Sequence, residues 1–204
     1  MARPIVTDLF LEDRAHEEFI SAVVLRLASE GGWEPELHFR SVVGGHGKAV
    51  AELESYQQKV RQRGLGLSFP DLLIIGIDAN CKPYPTARTE IQNAVADDFK
   101  HLAVIACPEP HIERWYMADP TGFHSVVGAF PRPGKRKCER DRYKMILSRA
   151  VEQGGHPPML GGIEFARELV EAMDFYRAGR AERSLKAFLE DLSARLRIVG
   201  SLAS

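Results

Sequence analysis

The sequence predicts an α/β protein in which a mostly parallel sheet is flanked by helices and followed by an α-helical C-terminal extension. Short apolar segments alternate with segments of helical periodicity over the first half of the chain, an order typical of βαβ units. Later in the chain, only helical patterns separated by glycine and proline remain. We therefore expect an α/β core over residues 1–125, and a basic loop with helices packed on that core over residues 126–204.

Four segments predict the strands of the sheet. Ile5–Leu11 is short and apolar, and Glu36–Val43 alternates moderately between apolar and polar residues. Leu72–Ile77 is a continuous aliphatic run, which is typical of a strand buried on both faces. Leu102–Ala106 is the fourth candidate. Because helical segments separate them, these strands are expected to run parallel.

Helical periodicity fills the connections between the strands. Ala15–Ser29 has its apolar side chains on one face and ends at Gly31-Gly32, a typical stop signal. Ala49–Arg63 and Thr86–Phe99 have the same character. These three segments are the predicted crossover helices.

The character of the chain changes after Pro108. A short helix is expected within His111–Asp119, and an irregular arm over Pro120–Gly134, where proline and glycine are frequent. Three further helices are predicted, with a break at residues 154–162: Glu139–Gln153, Ile163–Tyr176 and Ser184–Arg197. The last two are expected to form either a cap on the sheet or a hairpin that binds a partner.

Size and composition limit the classes of function. The 204 residues suffice for a substantial core, and a net charge of -1 means that binding to nucleic acid needs a local basic patch. No apolar run is long enough for a signal peptide or a membrane span, so no membrane partner is expected. Cys81, Cys107 and Cys138 lack CxxC pairing. We expect free thiols and a cytoplasmic location.

Acidic residues follow three of the predicted strands. Glu12 comes directly after the first strand, Asp78 and Asn80 follow the third, and Glu113 and Asp119 follow the fourth. The carboxyl ends of parallel strands form the ligand crevice of an open α/β sheet, and carboxylates are the usual ligands of hard divalent cations. The sequence therefore predicts that Glu12, Asp78 and Asn80 hold Mg²⁺ or Mn²⁺. As an alternative, Asp78 and Asn80 are common turn formers.

The residues after Glu12 have an ordinary structural interpretation. Asp13 is suited to cap the following helix, and Glu17 and Glu18 favour its first turn through the helix dipole. Glu12 itself lacks such an explanation, because a carboxylate at the end of an apolar strand is costly to bury without a partner.

Two further candidates lie later in the chain. Glu113 is predicted to point away from the apolar face of its short helix towards the crevice, where it is a candidate catalytic base. The alternative is an exposed acid on a surface helix. Lys144 is a candidate for stabilising a developing phosphate charge.

A basic segment precedes Lys144. Lys135, Arg136 and Lys137 belong to a stretch in which basic residues outnumber acidic ones, and they are predicted to contact a phosphate backbone. The alternative is a solvated charged loop. Residues 44–48 are glycine-rich but lack the spacing of an ATP-binding loop. Cys107 and His111 lack the second pair that a zinc site needs.

Taken together, these motifs resemble the Toprim domain of topoisomerases, primases and OLD-type nucleases. The stretch LEDRAHEEF is similar to the EGxxE start of that family, and IERWYMAD and GGIEFARELVEAMDF are similar to segments of small bacterial families related to it. The resemblance implies metal roles for Glu12, Asp78 and Asn80, a supporting role for Glu113, and the position of the second acid for Glu17. Two residues depart from the pattern: Asp13 replaces a glycine and Asn80 replaces an aspartate.

The resulting hypothesis is a divalent-metal-dependent nuclease, with DNA expected before RNA as its substrate and Glu12 or Glu113 as general base. The resemblance also implies a role in anti-phage defence and an ATPase partner subunit, and a homo-oligomer is a further expectation. The alternative is a non-catalytic Toprim-like subunit that binds nucleic acid or docks on the ATPase.

Overall fold

The computed structural model describes residues 3–40, 46–62, 68–139 and 141–203. Within these ranges the chain forms a four-stranded, all-parallel sheet flanked by nine α-helices, with a helical C-terminal segment. The predicted α/β class is confirmed. No described helix has the length and apolar character needed to cross a membrane.

The elements follow in regular alternation through the first half of the chain. The strands are β1 (Ile5–Leu11), β2 (Pro35–Phe39), β3 (Leu72–Gly76) and β4 (Ala103–Ala106). The helices of that half are α1 (Arg14–Glu30), α2 (His46–Arg61) and α3 (Tyr84–Ala94). The later helices are α4 (Glu113–Tyr116), α5 (Pro120–Val127), α6 (Arg142–Gln153), α7 (Ala166–Ala172), α8 (Phe175–Ala181) and α9 (Arg183–Ala203), with a 3₁₀ turn at Ile163–Phe165.

The order of the strands in the sheet is β2-β1-β3-β4. The chain therefore leaves β1 towards one edge and later returns to its other side as β3. This is a topological switch point, the place where open α/β sheets bind their ligands. The last pair of the register joins Leu11 to Gly76, so the residues that follow β1 and β3 begin side by side.

Side chains alternate between the two faces of the sheet, as the pleat requires. Leu9, Leu11 and Ile74 lie in a buried cluster with α1 and the C-terminal helices. Phe10 and Ile75 lie in a second cluster with α2 and α3. The sheet is thus buried on both faces, as the continuous aliphatic run of β3 predicts.

The first cluster also bears on the organisation of the chain. It joins Phe19 of α1 and Trp115 of α4 to Leu169 and Phe188 of the C-terminal helices, all buried. Helix α5 spans the predicted division at residue 125. The domain boundary stays a prediction, but the helical C-terminal segment shares its core with the sheet.

The prediction of an irregular arm over Pro120–Gly134 is wrong for the first half of this segment, because Pro120–Val127 forms α5. Proline is well tolerated at the first turn of a helix, where its missing N–H would have no partner. Gly128, with a φ of 84°, then ends the helix in the left-handed conformation. Proline and glycine therefore mark the two ends of a short helix here.

Other predicted boundaries also differ from the structure. The segment Ile163–Tyr176 is divided, because Asp174 caps α8 by accepting a hydrogen bond from the Arg177 N–H at 2.9 Å. Helix α3 ends at Ala94, and β2 ends at Phe39. Residues 41–43 of the predicted second strand lie outside the described residues.

The expectation of three free thiols is wrong. Cys81, in the loop after β3, forms a disulfide with Cys138 of the basic segment, 57 residues later, whereas Cys107 is free and buried. The fold brings these two loops together, and a separation of this length hides their proximity in the sequence. The cytoplasmic location stays a prediction.

Removal of this disulfide is expected to lower stability. The double variant Cys81→Ser/Cys138→Ser should lose about 2–4 kcal/mol in the free energy of unfolding, because the unfolded chain is no longer cross-linked. Urea unfolding with and without reductant measures this loss. The reduced wild type should match the variant, and equal stability of oxidised and reduced wild type would contradict the prediction.

Candidate metal centre

The two acids that end the neighbouring strands β1 and β3 meet at the switch point. The Glu12 N–H donates to the Gly76 carbonyl at 2.9 Å, which extends the sheet pairing by one residue. The Glu12 carboxylate in turn accepts a hydrogen bond from the Asp78 N–H at 2.9 Å. Glu12 and Asp78 therefore converge, as the strand-end argument predicts.

A histidine that the sequence analysis passed over completes the group. His16 lies in the first turn of α1 and is fully buried. Its Nε2 lies 3.2 Å from Asp78 Oδ1. Ligand atoms of Glu12, His16 and Asp78 all lie within 4.8 Å of one another, an arrangement that could hold a metal ion.

The position of His16 corrects the assignment of Glu17. The EGxxE pattern places its second acid four residues after the first, and in this chain that residue is His16. Glu12 precedes the helix cap Asp13, and His16 lies in the first turn of α1, whereas Glu17 lies about 100° further around α1 than His16 and is half-buried. Glu17 is not in the described metal-ligand group.

Imidazole and carboxylate groups alternate through the site. Asp13 caps α1 and accepts from the His16 N–H at 3.1 Å, and its Oδ1 lies 2.7 Å from His16 Nδ1. On the other side, His111 Nδ1 lies 3.0 Å from Asp78 Oδ2. The order Asp13, His16, Asp78, His111 therefore places each oxygen of Asp78 near an imidazole.

These contacts shift the protonation of the histidines. Burial opposes the charged form of His16, but the charge of Asp78 and the hydrogen bond with Asp13 raise its pKa well above the usual value. The hydrogen bond with Asp78 raises the pKa of His111 as well. The Asp78 carboxylate therefore stabilises the charged form of both rings.

The carboxylates respond in opposite directions. Burial favours the neutral acid, yet the charge of His16 and the hydrogen bond from His111 hold the pKa of Asp78 below its usual value. Hydrogen bonds with His16 likewise outweigh burial and lower the pKa of Asp13. Burial and the charge of Asp78 raise the pKa of Glu12. The site therefore concentrates negative charge on Asp13 and Asp78.

Glu113 lies close to this group on α4. Its side chain is buried, so the alternative of an exposed surface acid is wrong. Burial, together with the charge of Asp78, raises the pKa of Glu113 to about 7. Glu113 lines a cleft of about 320 Å³ together with Asp13, Arg14, Ala15, Lys144, Leu160, Gly161 and Ile163.

Lys144 brings a positive charge to the same cleft. Its Nζ lies 4.0 Å from Asp13 Oδ2, and 57% of its side chain is exposed. The structure thus brings Glu12, Asp78, Glu113 and Lys144 to one region of the molecule, around and beside the carboxyl ends of β1 and β3.

Glu113 gives a pH-dependent prediction. Between pH 4.5 and about 7, the folded chain holds a proton on Glu113 that the unfolded chain has released, so stability falls as pH rises through this window. Glu113→Gln removes the effect. The stability of the wild type relative to this variant should therefore fall by about 3 kcal/mol from pH 4.5 to pH 8. Urea unfolding of both proteins measures it, and a constant difference would contradict the assignment.

Asn80 lies in a turn. Its backbone is left-handed, with a φ of 54°, its N–H donates to the Pro110 carbonyl at 2.9 Å, and its amide donates to the Asp78 carbonyl at 3.3 Å. It lines a different cleft, beside the disulfide of Cys81 and Cys138. These contacts fit the turn-forming alternative, and the metal role of Asn80 stays a prediction.

The basic segment is partly engaged in the fold. Arg136 pairs with Glu109 at 2.8 Å and with the buried Glu182 at 3.0 Å. The Lys137 N–H donates to the Tyr143 hydroxyl at 2.8 Å, while the Lys135 side chain is exposed. Arg136 therefore has a structural role. The Lys137 side chain pairs with Glu139 at 3.5 Å but is 56% exposed, so the two lysines are better placed than Arg136 to contact a phosphate backbone.

His16 was passed over in the sequence analysis, and His111 was considered only beside Cys107, as an incomplete zinc pair. The spacing of four residues between Glu12 and His16 was the available signal, because Glu12 directly follows β1 and His16 lies in the first turn of α1, so a short connection holds both near the strand end. No spacing of this kind linked His111 to Glu12 or Asp78.

Compared with known proteins, the chain matches no family model, no curated protein and no solved structure.

Proposed function

We propose that this chain hydrolyses phosphodiester bonds in nucleic acid with the help of a divalent metal ion, and that DNA is preferred to RNA. The observation that carries the proposal is the convergence of Glu12, His16 and Asp78 at the switch point of the sheet. The two carboxylates fit Mg²⁺ or Mn²⁺, and an imidazole is a usual ligand of transition metals. When bound, such an ion polarises a phosphate and makes a coordinated water a better nucleophile.

Glu113 and Lys144 have distinct roles in this proposal. A carboxyl with a pKa of about 7 exchanges its proton near neutral pH, which suits a general base or acid. We assign this role to Glu113 rather than Glu12, whose carboxylate accepts the Asp78 N–H. Lys144 lines the same cleft and carries a positive charge, which would stabilise the charge that develops on a phosphate.

The resemblance to the Toprim domain is part of this proposal. It is supported by acids at the ends of two adjacent parallel strands, Glu12 after β1 and Asp78 after β3. Under the same proposal, the chain acts in anti-phage defence with an ATPase partner and assembles as a homo-oligomer.

One observation favours a non-catalytic binding subunit as the second candidate. Each oxygen of Asp78 already lies near an imidazole, at 3.2 Å from His16 and 3.0 Å from His111. Asn80 also stands where the resembling family has a second carboxylate. Under this candidate, the imidazolium groups occupy the place of the cation, and the chain binds nucleic acid or the ATPase without cleaving a phosphodiester bond.

A cleavage assay distinguishes the two functions. DNA and RNA substrates are incubated with Mg²⁺, Mn²⁺ or EDTA, using the wild type, Glu12→Gln, and Glu54→Gln as an exposed control on α2. The enzyme requires cleavage that EDTA stops, that Glu12→Gln removes and that Glu54→Gln retains. Binding of nucleic acid without cleavage by any ion would instead support the binding subunit and reject the nuclease.

The basic segment has its own binding prediction. Lys135→Ala/Lys137→Ala should weaken nucleic-acid binding and reduce the slope of log affinity against log salt concentration by about 2, because two phosphate contacts are lost. Lys48→Ala/Lys59→Ala, on α2, is the matched control. Both lysines are exposed, and α2 packs on the face of the sheet opposite to α1 and the C-terminal helices. Fluorescence anisotropy at several salt concentrations measures the slope, and equal slopes for both double variants would leave the segment a solvated loop.

A further inference from the structure

The orientation of His16 is fixed by Asp13. The Asp13 carboxylate accepts from the backbone N–H of His16 at 3.1 Å and lies 2.7 Å from His16 Nδ1. A metal-binding imidazole is neutral, and in a neutral ring that donates its Nδ1 hydrogen to a carboxylate the Nε2 lone pair lies on the opposite side. Histidine ligands of metals are commonly held by a carboxylate in this way.

The opposite nitrogen points into the group of acids. His16 is fully buried, and within the described part of the chain its Nε2 makes no aligned hydrogen bond, although Asp78 Oδ1 lies 3.2 Å away. A buried nitrogen that is close to a carboxylate but not aligned with it suits a shared cation.

The spacing of the three donor atoms agrees with this. Glu12, His16 and Asp78 each offer one atom, all within 4.8 Å of one another. Donors bound at about 2.1–2.2 Å to one ion are separated by roughly 3–4.4 Å, so a small adjustment brings all three onto a common centre. The two acids alone would form a site with oxygen ligands only. His16 adds a nitrogen ligand, which makes it a mixed nitrogen and oxygen site.

We propose that His16 Nε2 is a direct metal ligand, and that the centre therefore selects a transition-metal ion of the Mn²⁺ type over Mg²⁺. The inference rests on the proposed metal centre and adds the class of ion to it. Mg²⁺ prefers oxygen ligands and loses its coordinated water reluctantly, whereas transition metals bind imidazole well. The position of Asp78 supports such selection, because its second oxygen is held by His111 at 3.0 Å, which limits adjustment to the octahedral geometry of Mg²⁺.

Pulsed electron paramagnetic resonance of bound Mn²⁺ tests the inference. The wild type should show the ¹⁴N modulation of a coordinated imidazole, and incorporation of ¹⁵N-histidine should convert it to the ¹⁵N pattern. His16→Glu should bind Mn²⁺ without modulation, and its preference for Mn²⁺ over Mg²⁺ should fall at least about tenfold, as expected for a changed metal environment. His38→Gln, which alters a histidine beside Asp8, should match the wild type.

The outcomes separate this inference from the proposed function. Bound Mn²⁺ without nitrogen modulation in the wild type, or modulation that persists in His16→Glu, would overturn the inference and leave metal-dependent cleavage intact. The ¹⁵N-histidine comparison needs no variant, so it decides the matter even if His16→Glu does not fold. A wild type that binds no Mn²⁺ would also overturn the inference, and the cleavage assay with Mg²⁺ then tests the function by itself.

Discussion

Asp78→Ala is expected to abolish metal binding and to reduce metal-dependent cleavage at least about a hundredfold, the scale on which loss of a group stabilising transition-state charge is measured. Asp78 lies beside both His16 and His111. Its removal leaves Glu12 and His16 as the remaining members of the described metal-ligand group. The buried His16 imidazole and the partly exposed His111 imidazole would also lose their shared counter-charge.

Calorimetric titration with Mn²⁺ and a cleavage assay measure these two effects. Asp98→Ala is the matched control, because Asp98 pairs with Arg61 on the surface and lies outside the candidate site. Circular dichroism checks that Asp78→Ala is folded. Cleavage within tenfold of the wild type in a folded variant would contradict the role of Asp78.

Glu182→Ala is expected to produce the largest loss of stability, about 3–5 kcal/mol, because it leaves a buried charge without its partner. Glu182 accepts hydrogen bonds from Arg114 Nε at 2.9 Å and from Arg136 at 3.0 Å. The Arg114 side chain is only 8% exposed and packs over the Tyr143 ring at 5.2 Å. Since Arg114 follows Glu113 on α4, the loss should reach the site as well.

Urea unfolding compares Glu182→Ala with Glu190→Ala. Glu190 is an exposed partner of Lys186 on α9, and surface pairs contribute about 0–1 kcal/mol, so the control should stay close to the wild type. Equal stability of the two variants would mean that Arg114 finds another partner, and would contradict the anchoring role of Glu182.

Local patterns predicted the parts of the fold that depend on local physics. Ile5–Leu11 and Ala15–Ser29 match β1 and most of α1, because a continuous apolar run and a one-sided apolar stripe each satisfy one type of secondary structure. Glu12 stood out because no partner near it in the sequence explained its position after an apolar strand, and Asp78 stood out because it follows a second such strand.

The features that sequence reasoning missed depend on tertiary neighbours. His16 seemed an ordinary residue of the helix start until the pairing of β1 with β3 brought Asp78 within 3.2 Å of it. His111 and the disulfide of Cys81 and Cys138 likewise join segments that are distant in the chain. Such contacts have no periodicity and no fixed spacing, so a single sequence does not indicate them.

Anomalous X-ray diffraction from crystals grown with Mn²⁺ locates the ion at the candidate centre without reference to activity. We expect an anomalous peak bounded by a Glu12 oxygen, an Asp78 oxygen and His16 Nε2, with metal–ligand distances of about 2.0–2.3 Å. A crystal in which Mn²⁺ binds elsewhere, while His16 and Asp78 keep their direct contact, would contradict this expectation.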